Sequence, residues 1–321
     1  MTRFAGFDIG GTNARVRLYD ADWTPIAERR QGTRGAQPDA IADTIREMLL
    51  AACEDAQISP KSLSSVGVGV AAQLDPTGQI VLNAPNLGWR NVEFGALLRA
   101  ALYPDCGEHQ TRIVNDLNAI LWGEHCAGAV QTAKNVLAVY VGTGVGGALL
   151  CEGTLFQGAS GIAGEIGHSK VVPGGRLCGC GERGCVEAYA GGVHLEQLAV
   201  EIATRHALDE ILRPGDGPVA DLKAADRLAA EGQPEFDKLW QRATDYLALV
   251  IANACTLLNP SVLLLGGGVL ENLNDFRARL LGKVPALVLE AARHELTICS
   301  PKLGDDAGVL GAARLAAEFG H

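Results

Sequence analysis

Positive charge is scarce in this chain of 321 residues: Lys and Arg number 27 against 37 Asp and Glu, a formal net charge of −10. No basic face or arm is visible, which argues against a partner held by its phosphate backbone. A long apolar run is missing as well. The most apolar stretch, near Leu247–Leu258, is interrupted by Asn253 and is too short to span a bilayer. No secretory leader is expected, since the chain opens MTRFAGFDIGG directly in a strand. The pattern G-x-x-x-x-G-K-[ST] does not occur, which excludes a P-loop. The nine cysteines are odd in number and scattered, so a disulfide framework is not expected either. These absences point to a cytoplasmic protein with reduced thiols that binds neither nucleic acid nor membrane.

What is present is an ordinary globular composition, 48% hydrophobic and 20% charged, and a length that suits two domains. The most informative stretch runs from Glu165 to Glu187, EIGHSKVVPGGRLCGCGERGCVE. His168, Cys178, Cys180 and Cys185 follow one another at offsets of ten, two and five residues. One imidazole and three thiols suit tetrahedral Zn²⁺, whose borderline-soft character favours both donor types together. The surrounding glycines permit the tight turns that gather three sulfurs. Four ligands close the shell, so the expected metal is structural. Glu165 and Glu187 flank the knot.

Two glycine-rich segments share one pattern. Phe4–Ile9 reads as a buried strand, DIGGTNAR (Asp8–Arg15) as a turn, and Val16–Tyr19 as the returning strand. The tip of such a hairpin either cradles phosphate with its N–H groups or is a plain glycine turn. Asp8 beside it is a natural magnesium-side carboxylate. Val136–Tyr140 followed by VGTGVGGALL repeats the theme. Gly142, Gly144 and Gly147 fit G-x-G-x-x-G, yet the residues that follow read as a strand, whereas the dinucleotide fingerprint requires a helix start. Two facing hairpins of this type would bracket a triphosphate. A third glycine cluster, Gly266-Gly267-Gly268 after the strand Val262–Leu265, either lies flat against a planar group such as adenine or makes a turn.

Between these landmarks, Ile41–Ala56 has helical periodicity and Val66–Ala72 is a short apolar strand whose glycines admit a close neighbour. Leu82–Trp89 reads as a turn-rich loop carrying Asn83, Asn86 and Trp89, whose amides suit sugar hydroxyls. Asn115-Asp116 ends the strand Arg112–Val114 just before an Ala/Leu-rich helix. Asp116 there is either a helix cap or a general base at the mouth of the sheet, and the local sequence supports both. Further on, Leu195, Leu198 and Ile202 mark a helix, RPGDGP (Arg213–Pro218) a loop, and the run ending at Asn259-Pro260 a long buried helix. Leu296–Cys299 is a last strand and Ala307–Phe319 a closing helix.

Taken in order, DIGGTNAR, GTGVGG, E-x-G-H, C-x-C-G-x-x-G-C-x-E and LLLGGGV resemble the ROK family of repressors, open reading frames and kinases, over essentially the whole chain. The resemblance implies an α/β, duplicated ribonuclease-H-like fold of the actin/hexokinase type, with two domains around a cleft. It implies a small domain of residues 1–115 plus 305–321 and a large domain of 116–304. By the same resemblance Asp8, Gly10, Gly11 and Thr12 form the first phosphate loop and Gly142, Thr143 and Gly144 the second, with Gly266, Gly267 and Gly268 on the adenosine side. Asn115 and Asp116 match a sugar-binding pair whose aspartate is the catalytic base. Glu165, His168 and Glu187 match the remaining sugar ligands, with Asn86 beside them.

The expected activity is transfer of phosphate from ATP, with Mg²⁺ and structural Zn²⁺, to the 6-hydroxyl of a hexose, glucose first. N-acetylmannosamine, N-acetylglucosamine, fructose and allose are the alternative sugars, and polyphosphate is an alternative donor. A sugar-responsive repressor, the other class in the family, is disfavoured because no helix-turn-helix precedes the first hairpin. The family leans towards homodimers. The chain departs from the family pattern at Ala71-Ala72-Gln73, where Pro-Gly is common, and at Arg15, where many members carry lysine. The first departure bears on the shape of the sugar pocket.

Overall fold

The computed structural model describes residues 2–33, 37–213 and 219–319; the loop expected at Arg213–Pro218 falls, from 214 onward, outside them. The chain divides into two units, one of residues up to Ala133 with Thr154–Ala163 and everything from Pro301, the other of Lys134–Gly153 and Gly164–Ser300.

The first unit is built on a sheet of five strands. These are β1 (Arg3–Ile9), β2 (Asn13–Tyr19), β3 (Pro25–Gly32), β4 (Leu63–Val70) and β8 (Gln110–Asn115), in the order β3-β2-β1-β4-β8. β1 and β2 are antiparallel, with Phe4 opposite Tyr19 and Ile9 opposite Ala14. β1, β4 and β8 run parallel. Parallel strands are covered on both faces, which is why β1 and β4 read as nearly continuous apolar runs. On one face Phe7, Ile9, Val68 and Val70 are wholly buried in the core that helix α1 (Pro38–Asp55) joins through Ile41, Ile45 and Leu49. A smaller antiparallel sheet follows, of β5 (Gln73–Leu74), β6 (Val81–Ala84) and β7 (Trp89–Val92). Leu82–Trp89 is therefore not one loop. It is a strand, a single turn of 3₁₀ helix at Pro85–Leu87 and a second strand, with Gly88 at φ 70° closing the turn. Trp89 is buried and tilts against Phe94, the first residue of α2 (Phe94–Cys106), at 4.9 Å between rings.

Glycines decide what covers the other face of the sheet. A Cβ on Gly6 would lie 1.9 Å from the carbonyl oxygen of Val309, and one on Gly67 equally 1.9 Å from that of Ala312. Both carbonyls belong to the closing helix, Asp306–Phe319, whose backbone rests directly on the strands. The same helix meets α3 (Asp116–Ala127) without intervening side chains: Cβ atoms on Gly123 and Gly311 would fall 2.1 Å and 1.7 Å from the carbonyls of Ala307 and Ala119. This contact corrects the domain division expected at 115/116. Helix α3 belongs to the first unit because it is locked to the closing helix, and 154–163 joins them, Gly161 lying against the Leu74 carbonyl.

The second unit repeats the plan. β9 (Val136–Val141) and β10 (Val145–Cys151) form an antiparallel hairpin, and β9 pairs in parallel with Val262–Gly266, which pairs in parallel with Thr297–Cys299. In each unit, then, the first strand of a glycine-turn hairpin has a later parallel strand on its free side. The long helix Pro234–Leu258 ends at Asn259 in the left-handed region, φ 47°, immediately before Pro260. None of the nine cysteines forms a disulfide, and no helix among the described residues is long and apolar enough to cross a membrane.

Helix propensity and packing make opposite predictions for Gly311→Ala. In an open helix alanine is favoured over glycine by about 1 kcal/mol. Here the new Cβ would strike the Ala119 carbonyl, so a destabilisation of about 1–3 kcal/mol is expected in urea denaturation. A variant as stable as the parent would contradict the helix contact.

Candidate active site

Within the first unit the hairpin tip is fixed from outside. Gly10 N–H donates to the Asn13 carbonyl at 2.9 Å, closing the turn. Thr33, beyond the end of β3, donates its hydroxyl to the Gly11 carbonyl at 2.9 Å and its N–H to the Thr12 carbonyl at 3.0 Å. Gly11 also has a close neighbour: a Cβ on it would lie 3.2 Å from the Asn86 carbonyl. The fold thus brings Asn86 against the turn of Gly10, Gly11 and Thr12. Thr33 was missed, because nothing in a strand-end threonine signals a partner more than twenty residues away.

Asp8 lies near the end of β1, and the first turn of the closing helix abuts it: a Cβ on Gly308 would lie 3.5 Å from its carboxyl. Burial pushes its carboxyl above the usual range, the Arg15 guanidinium opposes this, and Asp305 adds to it. Arg15 is itself held in a rigid fork. It donates to both Glu28 oxygens at 2.9 Å, to Asp306 Oδ1 at 2.6 Å and to the Asp305 carbonyl at 2.7 Å. An ammonium group has neither the planar fork nor the donor count for this set, which gives the arginine at this position a physical reason.

Asn115, not Asp116, caps α3. Its extended backbone (φ −62°, ψ 141°) turns the strand into the helix, and its Oδ1 accepts from Asn118 N–H at 3.1 Å. Its Nδ2 donates to the Ala72 carbonyl at 3.1 Å, which pins the Ala71-Ala72-Gln73 segment to the end of β8. Asp116 is the first helical residue, half-buried, with Oδ1 accepting from Leu117 N–H at 2.9 Å. It stands where β1, β4 and β8 end, the region in which open parallel sheets present their chemistry.

The second unit gathers the other expected residues. The turn of Gly142, Thr143 and Gly144 is gripped by the helix Gly192–His206, whose first N–H groups, of Gly192 and Val193, donate to the carbonyls of Gly142 and Thr143 at 2.8 and 3.1 Å. From the other side Glu187 Oε2 accepts Val145 N–H at 3.0 Å. That carboxylate leaves no room at Gly144, where a Cβ would sit 2.3 Å from it. Gly267, at φ 96°, packs against the backbone of Val141, so the triplet Gly266-Gly267-Gly268 opens the short helix Gly268–Asn272 beside this same turn.

His168 ends a 3₁₀ turn, Ile166–His168, and faces two ways. Its Nε2 lies 3.5 Å from Glu165 Oε2, and its Nδ1 lies 3.7 Å from Cys178 Sγ. Cys180 and Cys185 sulfurs are 3.8 Å apart, and one donor atom from each of His168, Cys178, Cys180 and Cys185 lies within 4.8 Å of all the others. Donors at about 2.0–2.3 Å from a tetrahedral zinc are ~3.6–3.8 Å from one another, so the donor spacing suits that ion. Cys178 and Cys185 are buried, His168 and Cys180 half-buried. Gly184, at φ 84°, is required in the knot because a Cβ would fall 1.9 Å from the Val172 carbonyl. Cys178 Sγ also approaches Glu187 Oε1 at 3.3 Å. Lys170, which the sequence reading passed over, reaches Cys185 Sγ at 3.0 Å. The only signal available was a basic residue inside a thiol cluster.

Comparisons with known proteins agree with one another. A glucokinase of Streptomyces coelicolor is 30% identical over 322 residues, covering 98% of this chain and 97% of the relative. An N-acetyl-D-glucosamine kinase of Yersinia pseudotuberculosis is 29% identical, covering 97% of this chain and 98% of the relative. Among solved structures, a ROK family glucokinase from Streptomyces griseus, in complex with glucose and AMPPNP, superposes with a TM-score of 0.79 at 29% identity, covering 98% of this chain and 99% of the other. The mixed α/β architecture is accordingly that of the ROK hexokinases, the actin/hexokinase-like fold. The sequence profile described as the ROK family matches residues 4–318, and the chain belongs to that family.

Proposed function

We propose that this ROK sugar kinase transfers the γ-phosphoryl group of ATP to the 6-hydroxyl of glucose, with Asp116 as general base. The observation that carries the reading is the division of labour at the end of β8: Asn115 performs the capping, so capping does not account for Asp116. A carboxylate in that position accepts the hydroxyl proton as the oxygen attacks phosphorus in line, a contribution of about 10²–10⁴-fold. The turns Gly10–Thr12 and Gly142–Gly144 supply backbone N–H groups for the phosphate oxygens. The triplet Gly266–Gly268 lies on the adenosine side. Asp8 would hold Mg²⁺, which when bound neutralises charge on the transferring phosphate oxygens.

The sugar ligands are Asn86, Asn115, Glu165, His168 and Glu187. His168 Nε2 and Glu165 form one cluster, while His168 Nδ1 turns to the thiols. His168, Cys178, Cys180 and Cys185 would hold one Zn²⁺, whose role is to keep these side chains at fixed spacing. Glucose is favoured by the glucokinase relatives and by the number of polar groups available to a hexose ring. An N-acetylated hexosamine is the second reading. It is favoured by the N-acetyl-D-glucosamine kinase relatives and by Gln73, which pairs across the strands with Asn83 where the family usually has Pro-Gly.

Three experiments test these assignments. Asp116→Asn keeps size and hydrogen-bonding reach but accepts no proton, so kcat should fall by about 10²–10⁴-fold with a much smaller change in sugar affinity. An active Asp116→Asn enzyme would remove the base assignment. Purified protein should contain one zinc per chain, and Cys180→Ser should lose metal and activity together; full activity at well under one zinc would contradict the knot. Across a sugar panel, glucose should give the highest kcat/KM, with mannose and N-acetylglucosamine at least about tenfold lower. A panel led by an N-acetylated hexosamine would overturn the glucose assignment and leave the kinase standing.

A further inference from the structure

The geometry points to Lys170 as a positioning residue of the metal knot: its ammonium group compensates the charge of the thiolate set through Cys185 and so governs how long the set retains its ion. This rests on the zinc reading above.

Backbone register brings the two side chains together. Lys170 and Cys185 face each other across an isolated antiparallel bridge. It is flanked by hydrogen bonds from Val171 N–H to the Gly184 carbonyl at 2.8 Å and from Val186 N–H to the Ser169 carbonyl at 2.9 Å. Residues directly opposite in an antiparallel pair project to the same side, and Lys170 Nζ accordingly reaches Cys185 Sγ at 3.0 Å. The ammonium is steered by a second contact, an ion pair with Glu182. Glu182 belongs to the knot as well, since its carbonyl accepts Cys178 N–H at 2.8 Å.

Charge explains why a cation is needed there. Three thiolates and a neutral imidazole around Zn²⁺ carry a net charge of −1. Cys185 is wholly buried, and a buried charge is costly unless paired. Besides the ligand His168, three basic residues, Lys170, Arg176 and Arg183, lie between Glu165 and Glu187, and the contacts of two lead away from sulfur. Arg176 pairs with Glu201, and Arg183 donates to the Gly175 carbonyl. Lys170 carries the compensation. Its N–H to sulfur contact is charge-assisted, and such contacts are about twice as strong as neutral ones. Because Cys185 lies two residues before Glu187, holding its sulfur also steadies the carboxylate that grips the second phosphate turn.

The test is zinc release from metal-loaded protein into an excess of 4-(2-pyridylazo)resorcinol, read as the absorbance of the dye–zinc complex. Lys170→Met and Lys170→Gln should release zinc about 10–100-fold faster than wild type, the usual cost of losing a partner of a metal ligand. Lys170→Arg keeps the charge and should restore most of the retention. The glutamine variant covers the case of a methionine variant that does not fold. Wild-type protein without zinc would overturn the zinc reading itself. Wild-type protein with one zinc, and charge-free variants that release it no faster, would overturn the role of Lys170 alone. Equal acceleration in the methionine, glutamine and arginine variants would assign the effect to packing and likewise reject charge compensation.

Discussion

The carboxylate of Glu187 stands between a glycine turn and a thiol cluster. One oxygen accepts the N–H of Val145 at the end of the turn of Gly142, Thr143 and Gly144, and the other lies 3.3 Å from the sulfur of Cys178. Because Glu187 follows Cys185 by two residues, the backbone of the knot also places the carboxylate that holds the turn. Gly144 is glycine because Glu187 occupies the space of a side chain. The helix start at Gly192–Val193 grips the turn from its other side. The expectation for Glu187 was a sugar ligand; its hydrogen-bonding capacity is partly spent within the protein, so any sugar contact is made by a carboxylate already fixed in place. Preorganisation of that kind is what a site needs when charge develops on transferred oxygens.

The first unit achieves the same rigidity with arginine instead of sulfur. Arg15 and Arg17 bind Glu28 and Asp306 together, joining the hairpin to the start of the closing helix. Hydrogen bonds from Arg15, Arg17 and Arg30 outweigh the effect of burial and hold the Glu28 carboxyl down at about 2. The network therefore remains charged across the neutral range, and its contribution to stability is lost as pH falls from the ordinary carboxylate range through that value. Asp8, which burial pushes the other way, sits beside this network and not within it.

Local pattern revealed most of the individual parts. Short apolar runs and glycine placement sufficed for both hairpins, and ligand type and spacing sufficed for the gathering of His168, Cys178, Cys180 and Cys185. What escaped was fixed by long-range or stereochemical detail. Asn115 and Asp116 are equally good caps as residue types, and only the backbone angles at the corner select the first. The run LNAPNLGW is rich in turn formers, yet the turn occupies just its middle, because Val81 and Val92 bracket it as a strand pair. The extent of the first unit depends on Gly123 and Gly311, a helix contact between residues 188 positions apart in the chain, for which isolated glycines give no signal. Glycines 67 and 69, read as space for a ligand or a neighbouring backbone, serve a neighbouring backbone at Gly67 and lie beside Asp116 at Gly69.

We propose that the backbone of the thiol knot, through Glu187, positions the turn of Gly142, Thr143 and Gly144 for nucleotide binding. The most direct test is calorimetric titration of AMPPNP into zinc-loaded protein and into protein stripped of metal by a chelator, each checked for intact secondary structure. Stripping should weaken nucleotide binding by about tenfold or more, the scale on which loss of a supporting contact is felt, and restoring zinc should recover it. Equal affinity of the loaded and stripped forms would contradict the proposal, and would leave Glu187 holding the turn without help from the metal.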